Sequence, residues 1–258
     1  MPAARKDPLT LRRVLGRIYR GLTASRYSPL RPVVEAIGFS RCMRRVRKGL
    51  LALREIPKGT PIDLSHLERI REAWGNPAWT ADAGFLREVA AAVRARPGPV
   101  LDCGSGLSTV ICATFAARHG AVVYSLEQDQ RWYRYMRRVI EALQLDNVRL
   151  WHTPLRSYGD FAWFDLGTIV FPRHFPTVSC DGPAVVRSAF PSDLYAAWRV
   201  GVVIVLKSLG VSFDEILLDD VEDLRSAALA ERWRREGIPT TEIETATGRL
   251  LRGFGKPM

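Results

Sequence analysis

The residues best placed for chemistry lie in one run, Val100-Leu101-Asp102-Cys103-Gly104-Ser105-Gly106. An apolar stretch followed by spaced glycines predicts a buried strand turning sharply into a helix. There the bare backbone can approach a ligand, and the free amides of the first helical turn face it. A dinucleotide fingerprint would place a third glycine where this chain has Thr109 and would use the loop to hold a pyrophosphate. Here an acid stands two residues before the first glycine. A carboxylate at that point repels a pyrophosphate and suits a ligand with a cationic end. The following strand, Val122 to Leu126, ends in Glu127, 21 residues after Gly106. A carboxylate at such a tip can accept hydrogen bonds from both ribose hydroxyls, which points to an adenosine-type ligand without saying which one.

These residues need an α/β frame, and the chain supplies one. From Val100 onward, short apolar runs alternate with helical patterns, the signature of a parallel sheet covered by helices. Strands are expected at 99–103, 121–126, 147–152, 176–181 and 214–219, with helices at 107–118, 129–144 and 222–236. Thr240 to Ile243 and Arg249 to Phe254, around Ala246-Thr247-Gly248, read as a hairpin, so the last strand enters the sheet antiparallel. Upstream, Ser65 and Glu68 have capping-box spacing for a helix carrying Leu67, Ile70 and Trp74 on one side. Thr80 is placed to cap the next helix, through Phe85, Leu86, Val89 and Val93, which Pro97-Gly98-Pro99 stops.

Before these comes a different kind of sequence. Leu11, Val14, Leu15, Ile18 and Leu22 recur at helical spacing with arginines on the other faces, a basic amphipathic helix. Pro29 and Pro32 interrupt it, and a second basic apolar stretch runs from Val33 to Leu53. Residues 1–64 are therefore read as a basic helical accessory segment and 65–258 as the ligand-binding domain. The net charge of +11 lies upstream: residues 1–80 hold 17 Lys and Arg against 6 Asp and Glu, and the rest is balanced. Such asymmetry suggests an anionic partner, nucleic acid or an anionic surface; packing of the segment on the neighbouring domain is the plainer account. Only 5 of the 38 basic residues are lysines, an arginine excess that base composition can also produce.

The four cysteines form no CxxC pair and stand beside no histidines at zinc-finger spacing, which argues against a thiolate metal site. With no disulfide framework and no cleavable leader pattern, the expected compartment is the cytoplasm. The longest purely aliphatic run, Val202 to Leu206, is far too short to cross a bilayer.

Taken in order, GPVLDCGSGLSTV, VVYSLEQD, NVRLWHTPL, VSCDGP and EILLDDVED resemble successive motifs of the class I, Rossmann-like S-adenosylmethionine-dependent methyltransferases, over roughly residues 80–258. The resemblance implies a mostly parallel sheet with the antiparallel terminal hairpin, and S-adenosylmethionine as methyl donor. It puts Asp102, Gly104 and Gly106, with Ser105 between them, at the methionine part and Glu127 at the ribose. Gln128, His152 and Thr153 fall near the adenine, and Asp181 lies at the mouth of the fourth strand beside the sulfonium and the acceptor. The stretch from Leu155 to Phe175 departs from the pattern, with no clear helix where the family usually has one.

Methyl transfer is an in-line displacement, so few residues need be catalytic. Asp181 is the candidate for orienting or deprotonating the acceptor, with His152 and then His174 behind it; His174 itself reads as a loop residue. Asp181, Asp219 and Asp220 could hold Mg²⁺ at adjacent strand ends, but Asp219-Asp220 reads more simply as the start of an acidic surface loop, so no metal site is assigned. The leading expectation is an enzyme acting on a small-molecule O- or N-acceptor. The alternatives are an RNA or ribosome methyltransferase that uses the basic segment, and a non-catalytic nucleotide-binding partner protein. The chain lacks the Asn/Asp-Pro-Pro-aromatic motif of enzymes that methylate base or glutamine amide nitrogens, which argues against those acceptors. Oligomeric state leaves no trace in the sequence.

Overall fold

In the computed structural model, residues 31–76, 79–183, 198–219, 221 and 224–255 are described. The expected helix over Leu11–Leu22 lies outside them, as does Asp220. The apolar runs become β1 (Val100–Cys103), β2 (Val123–Glu127), β3 (Val148–His152), β6 (His174–Cys180) and β7 (Ser212–Leu218), each within two residues of its expected bounds. They form one sheet in the order β3-β2-β1-β6-β7-β9-β8. The first five pair in parallel. The terminal hairpin, β8 (Thr240–Glu244) and β9 (Arg249–Phe254), joins antiparallel, with β9 against β7. All four residues of β1 are buried, as expected of a central parallel strand covered on both faces.

On one face lie α1 (Arg31–Arg54), α2 (Leu64–Trp74), α3 (Ala83–Ala95), α4 (Leu107–Ala116) and α5 (Gln130–Leu143). Their buried side chains, among them Met43, Val46, Leu50 and Leu53 of α1, form one apolar cluster with Val100 and Val123 of the sheet. Pro32 falls in the first turn of α1, where a missing amide costs no helical hydrogen bond; the interruption expected there is thus a helix start. Helix α5 shows the governing pattern, with Met136, Val139 and Leu143 buried at helical spacing, an Asp129 cap and a left-handed Gln144 closing it. The opposite face is covered by α6 (Gly201–Ser208), α7 (Leu224–Arg235) and a small hairpin, β4 (Leu155–Ser157) with β5 (Ala162–Phe164). Trp163, Phe164, Phe175 and Trp233 centre this second cluster.

Several expectations are corrected. Asp63, not Ser65, caps α2, its carboxylate accepting from the Ser65 amide at 2.8 Å, while Glu68 pairs with Arg71. Asp82, not Thr80, caps α3, and the Thr80 hydroxyl turns back to the Asn76 carbonyl. In both cases a carboxylate at the residue just before the helix is the stronger acceptor for the orphan amides. The stretch after β3 forms the β4–β5 hairpin, and the aliphatic run at Val202 lies in α6. Among the described residues no helix is long and apolar enough to cross a membrane.

Candidate functional site

The carboxyl ends of β1, β2 and β3 bring eight of the singled-out residues together. Asp102 lies in β1 beneath the glycine loop, fully buried. Its Oδ2 accepts from the Thr109 hydroxyl at 2.6 Å and from the Ser125 hydroxyl at 3.3 Å, whereas its Oδ1 is buried with no hydrogen-bond partner among the described residues. Burial pushes its pKa up to about 6, against the pull of the Thr109, Ser108, Ser179 and Ser125 hydroxyls. The same Thr109 hydroxyl accepts from the Gly106 amide at 3.0 Å. The residue that breaks the three-glycine fingerprint is therefore a lock, holding the loop backbone to the carboxyl beneath it.

The two glycines do different work. Gly104 has φ +102°, and a Cβ on it would lie 2.6 Å from the Gly182 amide nitrogen and 2.7 Å from its Cα. A Cβ on Gly106 would meet nothing within 4 Å, which leaves an open cradle in front of the loop. Ser105 closes the loop on its second-strand side. Its hydroxyl donates to Glu127 Oε2 at 2.7 Å, and its carbonyl accepts from the Trp132 indole at 2.7 Å.

Glu127 ends β2 almost fully buried, and burial raises its pKa against the bonds from Ser105 and the Asp129 amide. Its Oε1 accepts from that amide at 2.8 Å. Each carboxylate oxygen thus holds one protein donor and retains capacity for one more. The Thr153 amide donates to the Glu127 carbonyl at 2.7 Å, and the Thr153 hydroxyl is buried with no partner among the described residues. The His152 Nε2 lies 3.1 Å from the Gln128 carbonyl, with its ring tilted against Tyr133.

Asp181 stands across from this cluster, after β6. Its amide and that of Gly182 both donate to the Cys103 carbonyl, at 3.1 and 2.7 Å, so the fourth strand's mouth is tied to the glycine loop by backbone. Arg199 donates to the carbonyls of Asp181 and Asp219, which draws the ends of β6 and β7 together. His174 does not join them. It starts β6 at the other end of the sheet, roughly 20 Å of strand from Asp181, beside Ser212 and Asp214. The expected strand begins two residues earlier than read, which turns the supposed loop histidine into an edge-of-strand one. Among the described residues no three acids, histidines or cysteines are grouped as a metal site would need.

Thr109, Trp132, Gly182 and Arg199 were not read as functional from sequence. Only Thr109 carried a signal, as a departure from a known spacing; the others act through indole, backbone and guanidinium contacts distant in the chain.

No family model matches the chain, and no curated relative does. Among solved structures it is similar to the delta-N METTL16 MTase domain, with a TM-score of 0.50 at 13% identity over 75% of this chain and 96% of that one. It is also similar to the SAH-bound Podospora anserina methyltransferase PaMTH1, at a TM-score of 0.49 and 13% identity over 100% of both chains. The C-terminal domain of precorrin-6Y C5,15-methyltransferase from Rhodobacter capsulatus gives 0.44 and 14%, over 68% of this chain and 90% of that one. Sheet order and the likeness to the delta-N METTL16 MTase domain agree: the chain has the fold of the class I S-adenosylmethionine-dependent methyltransferases.

Proposed function

We propose that this chain is an S-adenosylmethionine-dependent methyltransferase, with residues 1–64 as a basic accessory segment, 65–258 as the catalytic domain, and the cytoplasm as its place of work. The observation that carries the reading is the open cradle before Gly106, with one carboxyl, Asp102, buried in the strand beneath the loop and a second, Glu127, buried at the tip of the next strand. Two such carboxyls suit a cofactor that has a cationic amine at one end and ribose hydroxyls beyond it. In this assignment Asp102, Gly104, Ser105 and Gly106 hold the methionine part, Glu127 the ribose, and Gln128 and Thr153 the adenine edge. The bound cofactor supplies an activated methyl group on a sulfonium.

The protein's own part is to align, to exclude water and to take a proton. Asp181, fixed beside the glycine loop through its backbone, orients the acceptor and accepts its proton. His152 is the second candidate; with its ring engaged on the Gln128 carbonyl, it steadies the adenine side of the crevice. We read the acceptor first as a small molecule presenting oxygen or nitrogen in the crevice beyond the strand ends. A second reading, a nucleotide within a strand, is favoured by one observation, the exposed Arg131, Arg134, Arg137 and Arg138 of α5, the helix that starts three residues after Glu127.

Calorimetry tests the proposal. The chain should bind S-adenosylhomocysteine with measurable heat, and Gly106→Asp should abolish that heat while leaving thermal unfolding unchanged, because its side chain enters open space. Absence of heat with the unaltered chain sinks the enzyme reading and the non-catalytic nucleotide-binding one together. Binding without methyl transfer to any acceptor leaves the latter.

A further inference from the structure

The fold assembles a cationic face that the charge balance of the sequence hides. Along α1, Arg41, Arg44, Arg45, Arg47 and Lys48 are exposed, and Glu35 is the only acid of the helix. The balanced part of the chain adds α5, where Arg131, Arg134, Arg137 and Arg138 are exposed and Glu141 is the only acid. The two helices lie side by side. Phe39 meets Tyr135 edge-on at 6.0 Å, the Arg138 guanidinium sits 4.7 Å above the Phe39 ring, and Arg47 donates to Gln144 Oε1 at 2.8 Å. These contacts advance along both chains together, so the helices run in the same direction. Among the described residues, none of these cations has an ion-pair partner.

The position of the face matters as much as its charge. Helix α5 starts three residues after Glu127, at the carboxyl end of β2, so Arg131 stands at the rim of the crevice and the other cations lead away from it. Nine like charges gathered with one acid on each helix repel one another, and a polyanion relieves that repulsion. All but Lys48 are arginines, whose planar fork matches phosphate oxygens in pairs. A lipid surface fits less well. A helix that lies on a membrane inserts its apolar side, and that side of α1, Met43, Val46, Leu50 and Leu53, is already spent in the protein core. A base stacked inside a duplex could not enter a crevice at strand ends, which favours a single strand.

We infer that the α1–α5 face binds the phosphate backbone of a single-stranded nucleic acid and leads it to the crevice. The binding stands by itself; the strand's role as methyl acceptor rests on the methyltransferase reading above in its second form, a nucleotide within a strand. The test is fluorescence anisotropy of the whole chain with a labelled oligoribonucleotide of about 16 nucleotides, titrated over a range of salt. Joint substitution Arg44→Glu, Lys48→Glu, Arg134→Glu and Arg137→Glu should weaken binding by about a hundredfold or more and lower the slope of log Kd against log salt by about 3. Arg156→Glu with Arg235→Glu, on the other side of the sheet, should change it less than about threefold. Glutamine at the same four positions serves if the reversal does not fold, with a loss of about tenfold.

Equal losses in both variants, or no loss in either, overturn the inference. Sedimentation with phosphatidylserine vesicles but no RNA binding does so as well. Binding of S-adenosylhomocysteine by the same variants is measured alongside: if the cofactor never binds yet the RNA loss is seen, the methyltransferase reading fails and the binding face stands.

Discussion

The two halves of the sheet are built on different principles. On the β3-β2-β1 side, the singled-out residues are joined to one another by side-chain bonds: Thr109 to Asp102, Ser105 to Glu127, the Gly106 amide to Thr109. On the β6-β7 side, Asp181 is held through its backbone, by the Cys103 carbonyl and by Arg199 on its own carbonyl. A ligand common to many enzymes can be met by a fixed network placed at strand tips. A variable acceptor is met by residues beyond the strand ends, which can change while the sheet stays.

The joint between the halves is the place to break this comparison, and it should give the largest effect. Gly104→Ala places a methyl group within 2.7 Å of the Gly182 backbone at a φ of +102° that alanine tolerates poorly. Neither backbone can yield without loosening β1 from β6. We expect a loss of roughly 2–4 kcal/mol in chemical denaturation, together with undetectable cofactor binding in calorimetry. An unchanged midpoint would show that the halves meet less tightly than the geometry says.

Next in size are substitutions that should separate the halves by their kinetics. Glu127→Gln leaves one acceptor oxygen for the Ser105 hydroxyl and the Asp129 amide together, weakens acceptance from ribose hydroxyls, and should raise the Kd for S-adenosylhomocysteine about tenfold. Asp181→Asn should leave that Kd unchanged and lower kcat by about a hundredfold or more once an acceptor is in hand. If Asp181→Asn moves the Kd as much as Glu127→Gln does, the division of labour is wrong.

The same contrast explains what could be read from the sequence. The parallel strands were legible because burial on both faces forces continuous apolar runs, and the glycine loop because its backbone conformation restricts residue type. Asp102 and Glu127 were legible because strand tips are fixed points in this architecture. The β4–β5 hairpin was not, since two strands of three residues leave no period to detect. The caps shifted because Asp63 and Asp82 each stand two residues from the hydroxyl chosen instead, and competing acceptors at such spacing are separated only by geometry. The position of His174 failed for a similar reason, a boundary error of two residues. The cationic face was half visible: α1 was evident from charge, while the arginines of α5 were concealed by acids that the fold places elsewhere.

The smallest effect should come from Asp102, and it sharpens the comparison most, because it asks whether the side-chain network is there for stability or for a ligand. Its pKa rises from 3.8 to about 6 in the folded chain, with burial the dominant cause. The folded state therefore binds the proton more tightly than the unfolded one. Stability is unaffected by this group below about pH 4, where both states are protonated, and declines as pH rises towards 6, by about 1–3 kcal/mol in total. Asp102→Asn removes that decline. The variant should match the parent near pH 4, exceed it by roughly 1–3 kcal/mol at pH 7 in urea denaturation, and bind S-adenosylhomocysteine about tenfold more weakly at pH 7. In the parent, binding should tighten as pH rises through 6, because a cationic amine favours the ionised carboxyl. A variant less stable than the parent at pH 7 would mean that the surrounding hydroxyls already satisfy the charge and that Asp102 serves the fold. A variant more stable and weaker in binding would mean that the chain keeps a buried, half-satisfied carboxyl at a cost to stability, as a group awaiting its ligand would be kept.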